Sequence, residues 1–288
     1  MKIAFLGYGE AARAFAATLG AEANAPAFTA YDIKLDGPLA QDMRAAMAAD
    51  GVAVADTPAA LAGANWLISA VTADQSLKAA TAALGALREG MVFVDINSVS
   101  PGRKQETAAA VADTGATYLD MAVMAPVHPR GHRTPVLVAG AVAQAEPALT
   151  ALGFDWSMAG DGVGDATAIK MIRSNFVKGL EAITVETLLA AEAAGVLDTI
   201  LASLSKSYPG LGWPDHAAYQ FERTLVHGAR RAAEMEESAA TLDALGLTGA
   251  LGRATAEVQR AMGRAGEIAA PSGDLADTVR RTLAARRR

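Results

Sequence analysis

Glycines at positions 7 and 9, an alanine at 12 and an aspartate at 32 are the first residues whose types and spacing could do chemistry. They stand in "KIAFLGYGEAARAFAATLG" and, further on, in "AFTAYDIK". A short apolar run that ends in G-x-G-x-x-A and continues with helical spacing is the pattern of a pyrophosphate-binding turn. Gly7 permits the tight turn, Gly9 lets the backbone approach a pyrophosphate, and Ala12 keeps helix and strand close in place of a third glycine. The free N–H groups at the start of the helix, around Tyr8, Glu10 and Ala11, then face the phosphates. Asp32 lies 25 residues after Gly7, where a carboxylate accepts ribose hydroxyls and repels a 2′-phosphate. This favours NAD, and neighbouring Lys34 weakens the preference enough to keep NADP in view. Val71, Thr72 and Asn97, which follow two later apolar runs, complete the expected cofactor contacts. The competing reading is a plain strand–helix turn with an incidental aspartate, because the glycine motif alone is a weak signal.

A second group is "DGVGDATAIKMIRSN". Gly162 and Gly164 free the backbone just before a long helical pattern, and Lys170 falls about two turns in. Residues four apart share a helix face, so Lys170, Ser174 and Lys178 line up. A solvated lysine face is the bland reading. The neighbours Ile169, Met171 and Ile172 argue instead that much of this stretch is buried.

Two basic clusters follow. "HPRGHR" places His128, Arg130, His132 and Arg133 in one loop. Proline and glycine between the histidines exclude the helical geometry that would make their spacing useful to a metal, and no acidic third ligand is near, so no metal is expected. An anion-binding loop and a solvated charged loop both remain open, and arginine in the first would pair with carboxylate or phosphate. "RTLVHGARRAAEMEE" is helical, with Arg223, His227 and Arg230 on one face and Arg231 and Glu234 on an adjoining stripe. An interhelical ion-pair network and a contribution of His227 to a substrate site are the two readings.

These residues need a scaffold, and the chain alternates strand and helix signals for some 160 residues. Expected strands are "KIAFL", "AFTAYD", "GVAVA", "NWLISAV", "MVFVDIN", "TYLDMAV", "TPVLVAG" and "FDWSMA". Between them, Pro38 opens a helix toward Ala49, Asp74 caps a helix to Leu87, and Ser100 with Pro101 starts one that Gly115 stops. The alternation predicts an α/β fold, a doubly wound, mostly parallel Rossmann-type sheet over residues 1–164. From 165 the pattern turns all-helical: one long helix ends at Gly195, and three or four further helices run to 288. The predicted division is therefore a dinucleotide-binding domain, 1–164, and a helical substrate and dimerisation domain, 165–288.

The 288 residues are 52% hydrophobic and 19% charged, with a formal net charge of −6. That composition fits a globular protein and argues against nucleic acid as a partner. The five arginines of "RRTLAARRR" read as a frayed, solvated helix end. The absence of cysteine excludes disulfides and thiolate chemistry. No apolar run is long enough for a membrane span and the N-terminal run does not read as a signal peptide, so a cytoplasmic location is expected.

Four stretches together resemble the β-hydroxyacid dehydrogenase family, which includes 3-hydroxyisobutyrate and 6-phosphogluconate dehydrogenases. "GYGEAARAFA" is similar to its cofactor loop, "DINSVSPG" to its D-x-S-T-x-S-P substrate segment, "DMAVMAPV" to its D-A-P-V-S-G-G segment, and "GVGDATAIKMIRSN" to its G-x-G-x-x-x-K-x-x-x-N catalytic segment. "KMIRS", "VKGLEA" and "HGARRAAEMEE" resemble a branch with a distinctive C-terminal domain. The resemblance implies reversible oxidation of the alcohol of a small acidic substrate by NAD or NADP, with Lys170 as general acid/base. Asn97 and Ser98 would hold the substrate, helped by Ser174, Asn175, His128, Arg130 and His227, and the helical domain would form a homodimer. Two departures stand out: the family's asparagine four residues after the lysine is Ser174 here, with Asn175 one place late, and the family's paired glycines give way to "MAPVHPRGHR". The alternatives are an imine reductase-like enzyme, which would usually carry Asp or Tyr near position 170, and a non-catalytic nucleotide-binding protein.

Overall fold

The computed structural model describes residues 1–287. Its contacts divide the chain into two units, Met1–Lys170 and from Met171 onward.

The first unit follows the alternating pattern. Its elements are β1 (Lys2–Leu6), α1 (Glu10–Gly20), β2 (Ala27–Tyr31), α2 (Ala40–Ala49), β3 (Ala53–Val54), β4 (Trp66–Ser69), α3 (Ser76–Ala83), β5 (Val92–Asp95), α4 (Pro101–Ala112), β6 (Thr117–Val123), β7 (Val136–Gly140), α5 (Val142–Ala151) and β8 (Trp156–Gly160). One eight-stranded sheet has the order β3-β2-β1-β4-β5-β6-β7-β8. All neighbours are parallel except β6 and β7, which pair antiparallel with Val123 opposite Val136. Every residue of β4 and β5 is buried, as expected for strands covered by helices on both faces. The register aligns Tyr31, Leu6, Ser69, Asp95 and Asp120 across five neighbouring strands. The loops after β2, β1, β4 and β5 therefore leave one edge of the sheet together, level with Asp120 in the middle of β6.

Several predicted boundaries move. Pro38 does not open α2, because a 3-10 turn over Ile33–Asp36 comes first and Leu39 takes the N-cap. Asp74 does not cap α3: it lies inside a 3-10 turn, Ala73–Gln75, and the last predicted turn is another, Leu84–Ala86. Ser100 and Pro101 do start α4, and Gly115 just beyond it adopts φ +78°.

α6 (Asp165–Ala193) begins in the first unit and continues into the second, which also holds α7 (Leu197–Ser207), α8 (Asp215–Ala244), α9 (Ala250–Gly266) and α10 (Leu275–Arg286). Val185, Leu188, Leu189, Phe221, Leu225, Met262 and Val279 are buried in one cluster there. The C-terminal arginines are not simply frayed: α10 runs to Arg286, whose guanidinium meets Glu186 at 2.7 Å. Arg288 lies outside the described residues. Among the described residues no helix is long and apolar enough to cross a membrane.

α8 and α9 approach so closely that backbone meets backbone. A Cβ on Gly228 would overlap the Gln259 carbonyl oxygen and lie 2.5 Å from the Gly263 nitrogen. No flexible side-chain end can move aside there. Gly228→Val is therefore expected to lower stability by about 3 kcal/mol or more, through overpacking and displacement of α9. Thermal unfolding followed by circular dichroism measures it, and an unchanged midpoint would refute this account of the helix pair.

Candidate functional site

The glycine loop is shaped by what lies beside it. Gly7 has φ +88°, and a Cβ there would stand 2.5 Å from the Ala70 carbonyl oxygen and 2.7 Å from Val71 Cγ1. Glycine is required by both conformation and space. Gly9 differs: a Cβ would meet nothing within 4 Å, so protein packing does not demand glycine there. The space in front of Gly9 is what a phosphate group needs. Gly9 is the N-cap of α1 and offers no side chain to its first N–H groups, while Ala12 is fully buried beneath it. These residues fit a dinucleotide, at the switch point where β1 lies between β2 and β4.

Asp32 has work to do before any ligand arrives. One oxygen, Oδ2, accepts from the Tyr8 N–H at 2.8 Å, and Oδ1 accepts from the Lys34 N–H at 2.9 Å. Tyr8 is accordingly not a phosphate-facing group. Its N–H is turned to Asp32, and its ring is buried with the hydroxyl on Asp50 Oδ2 at 3.0 Å. Burial and that hydrogen bond to Asp50 push the Tyr8 hydroxyl well above its ordinary pKa. Glu10 and Ala11 remain at the open end of α1.

Asn97 also differs from expectation. Its Oδ1 accepts from the Val71 N–H at 2.7 Å, and Nδ2 donates to Ser69 Oγ at 2.9 Å and Ser76 Oγ at 3.2 Å. Both amide donors are committed, so Asn97 fixes the loops after β4 and β5 rather than presenting an amide to substrate. Ser98 is half-buried and Thr72 exposed.

Next to Asn97 is a cluster that the sequence reading missed. Lys104 of α4 is fully buried. Its ammonium lies 3.1 Å from Asp95 Oδ1 and 3.3 Å from Asp120 Oδ1, and donates to the Asp95 carbonyl oxygen at 2.6 Å. Asp95 also accepts from the Tyr118 hydroxyl at 2.6 Å and the Asn97 N–H at 2.9 Å. Burial, then the negative charge of Asp95, holds the Tyr118 hydroxyl protonated far above its usual range. Asp120 Oδ2 accepts from the N–H groups of Gly164 at 3.2 Å and Thr167 at 3.1 Å, and Thr167 Oγ1 donates to the Val99 carbonyl at 2.6 Å. Asp120 therefore grips the first turn of α6. The available signal was Asp at the end of one apolar strand and within the next, with one Lys in the intervening helix.

On α6 the predicted face is only partly buried. Met171 is buried, whereas Ile169 and Ile172 are 44% and 48% exposed, which corrects the expectation for those two. Lys170 is half-buried. In the helical unit Ser174 accepts from Lys178 Nζ at 3.2 Å, and Lys178 pairs with Glu234 Oε2 at 2.7 Å. Asn175 Oδ1 is buried and has no hydrogen-bond partner among the described residues. Arg231 binds both oxygens of Glu181, at 2.6 and 2.7 Å, and Gln259 adds a third bond at 2.8 Å. Half of the basic stripe on α8 is thus an interhelical ion-pair network. The pairs Met171–Ser238, Lys178–Glu234 and Glu181–Arg231 run antiparallel and place His227 opposite the region of Val185. That is eleven residues past Ser174, about 16 Å of helix rise, so one chain does not bring His227 and Ser174 together.

The "HPRGHR" loop divides. His128 and Arg130 are exposed, while His132 is fully buried against α1. Its Nδ1 lies 2.8 Å from Thr18 Oγ1, and Arg133 pairs with Glu22 at 2.5 Å. A Cβ on Gly131 would strike Thr18, so this half of the loop is a structural clasp and not an anion site. Among the described residues no group of three or more His, Cys, Asp or Glu could hold a metal.

With this geometry in place, comparison with known proteins defines the class. Residues 2–160 match the NAD binding domain of 6-phosphogluconate dehydrogenase. The chain belongs to that family, within the β-hydroxyacid dehydrogenase-like group, and residues 191–262 match a separate domain of unknown function, which gives this branch its own C-terminal type. A conserved hypothetical protein from Sinorhizobium meliloti 1021 is 37% identical, with 99% of this chain and 96% of the other covered and a TM-score of 0.72. A 3-hydroxyisobutyrate dehydrogenase from Mycobacterium tuberculosis shares the fold at 20% identity, covering 97% and 98% with a TM-score of 0.71. An imine reductase from Streptomyces aurantiacus does so at 22%, covering 97% and 98% with a TM-score of 0.56. An uncharacterized 28.5 kDa protein of Methanothermus fervidus is 28% identical over 171 residues, and the match spans 59% of this chain and 65% of that relative.

Two outcomes follow from the buried charges. Lys104→Met leaves two buried carboxylates without their cation and is expected to cost about 3–5 kcal/mol in chemical denaturation. A loss within 0.5 kcal/mol, the ordinary scale of a surface change, would remove its structural role. His132 has its pKa lowered, chiefly by burial, with Glu22 opposing and Arg133 reinforcing. The unfolded chain then binds the proton more readily, so stability is lost as pH falls below about 6.5. His132→Asn is expected to flatten the fall in melting temperature between about pH 6.5 and 5, and a parallel fall in both proteins would show that His132 does not contribute.

Proposed function

We propose that this protein is a nicotinamide-dependent dehydrogenase that oxidises the alcohol of a small 3-hydroxy-acid-like substrate, with Lys170 as general acid/base. The observation that carries the reading is the grip of Asp120 on Gly164 and Thr167. It fixes the turn of α6 that precedes Lys170 at the sheet edge where the Gly7–Gly9 and Ala70–Asn97 loops meet. The bound nicotinamide would supply hydride acceptance, and NAD is favoured over NADP by the Asp32 carboxylate. The N–H groups at the start of α1 hold the phosphates, and Asn97 keeps the Val71 backbone in place. Lys170 Nζ takes the hydroxyl proton in oxidation and returns it in reduction. Ser98 orients the substrate so that its C–H bond faces the ring. Imine reduction is the second reading, favoured by the fold shared with imine reductases. The lysine at this place on α6 supports alcohol oxidation instead.

We also propose a homodimer through the helical unit. Ile172, Phe176 and Ile183 recur at helical spacing along α6 and are 48%, 73% and 63% exposed. Such a stripe supports a second copy as its cover.

Lys170→Met is expected to bind NADH within a few-fold of the parent and to lose turnover by ~10²-fold or more, the scale of general acid–base assistance. Fluorescence titration and NADH absorbance on a hydroxy-acid panel measure the two quantities. Retention of half the parental turnover would defeat the role, and NADH binding without turnover on any substrate would mark a non-catalytic binder. The same titration is expected to show tighter binding of NADH than NADPH, and a tenfold preference for NADPH would reverse the assignment of Asp32.

A further inference from the structure

The helical unit holds a recess of its own, where the first two turns of α8 meet the chain between α9 and α10. Its volume is about 330 Å³, within the range of small-molecule sites, and its lining includes Tyr219, Glu222, Pro271, Ser272, Leu275 and Thr278. All of these lie in one unit, and Pro271 to Thr278 lie beyond the matched C-terminal domain, which ends at 262. The hydrogen bonds around the recess decide what it can hold. Ser272 Oγ donates to the Asp274 carbonyl at 2.9 Å. Thr278 Oγ1 takes the Ser272 N–H at 3.0 Å, and its own hydrogen has two acceptors, Ser272 Oγ at 3.0 Å and the Ser272 carbonyl at 3.3 Å. Both hydroxyl hydrogens are therefore committed inside the loop, and these side chains have lone pairs left to offer. Glu222 is the only charged side chain of the lining; it is half-buried, with no hydrogen bond or ion pair among the described residues. An ionised carboxylate only accepts. The N-terminus of α10, whose partial positive charge would oppose a cation, is capped by Asp274, whose Oδ1 accepts from the Asp277 N–H at 2.7 Å. Tyr219, three residues before Glu222 and so on the same face of α8, is 54% exposed and adds an aromatic surface. Acceptors, one negative charge and an aromatic ring suit a cation that donates hydrogen bonds and carries an apolar body. We propose that this recess binds a small primary ammonium ion, its N–H groups on Glu222 and Ser272 and its carbon chain against Tyr219, Pro271 and Leu275. The site requires neither the nucleotide nor Lys170.

The test uses the full-length protein and n-butylamine, which is cationic at neutral pH, with 1-butanol and butyrate as its neutral and anionic counterparts. Saturation-transfer NMR titration of the parent is expected to show saturable binding of n-butylamine with a Kd below about 10 mM, and neither counterpart within about tenfold of it. Glu222→Gln keeps the size of the side chain and removes its charge. It is expected to weaken n-butylamine by about tenfold or more, and Tyr219→Ser by about threefold. Both variants are expected to melt and to bind NADH as the parent does, because Glu222 has no partner to lose among the described residues and Tyr219 is exposed. An n-butylamine signal that never saturates would overturn the inference. So would 1-butanol or butyrate binding as tightly as n-butylamine, or parental affinity in Glu222→Gln. The last result would mean that the amine is taken up elsewhere on the protein, at a site of imine reduction for example.

Discussion

The buried ammonium of Lys104 is the point on which the rest of the nucleotide-binding unit depends. It sits between two carboxylates on neighbouring strands, so its single positive charge faces two negative ones. The surplus is met by dipoles. Asp95 takes the Tyr118 hydroxyl and the Asn97 N–H, and Asp120 takes two N–H groups from the start of α6. A helix N-terminus carries partial positive charge, so the second carboxylate and α6 stabilise each other. The cluster is stable only as a whole, because a half-satisfied buried network costs more than an apolar core. That condition ties α4, β5, β6 and the start of α6 to one geometry. It also explains why the segment from Asp95 to Pro101 can be irregular and still fixed: its first carboxylate and the amide of Asn97 are both anchored.

The two units solve the same problem by different means. In the sheet, backbone groups of the loops are held by side chains: Tyr8 and Lys34 by Asp32, Val71 by Asn97. This leaves the glycine loop rigid without placing a side chain in front of Gly9. In the helical unit the backbones themselves touch at Gly228 and Gly263, and buried ion pairs between α6 and α8 set their register. Lys178–Glu234 and Glu181–Arg231 admit one alignment of the two helices, since a slip of one turn would bring unlike partners together. Buried pairs of this kind add little net stability over apolar packing, but leaving one partner alone is costly.

The sequence was legible where the physical rule is local. Period, turn residues and the Gly7–Gly9 motif are short-range, and they gave the order of strands, the loop after β1 and the start of α4. It was not legible where a residue's role depends on a distant partner. Lys104 looks like any lysine in "GRKQE" until β6 brings Asp120 beside it. Asn97 read as a ligand-facing amide because its three partners, Ser69, Val71 and Ser76, lie more than 20 residues away. His132 stood in a loop open to two readings, anion-binding or solvated, and neither foresaw that Thr18 holds it from 114 residues away. Pro38 and Asp74 were misplaced for a different reason: 3-10 turns use the same starting residues as α-helices, and composition does not separate them.

Lys104 and Lys170 show why burial must decide between two plausible lysines. Both have a glycine a few residues before them, both lie in or next to segments that resemble family motifs, and both stand early in a helix. Lys104 has no accessible surface, so no substrate hydroxyl can reach it, however suited its charge. Lys170 is half-buried, on a helix whose first turn is pinned by the carboxylate that Lys104 neutralises. A general acid/base needs contact with its substrate and a backbone that does not wander. The first condition excludes Lys104, and the second is what Lys104 helps to provide at the start of α6, where the proposed acid/base, Lys170, stands.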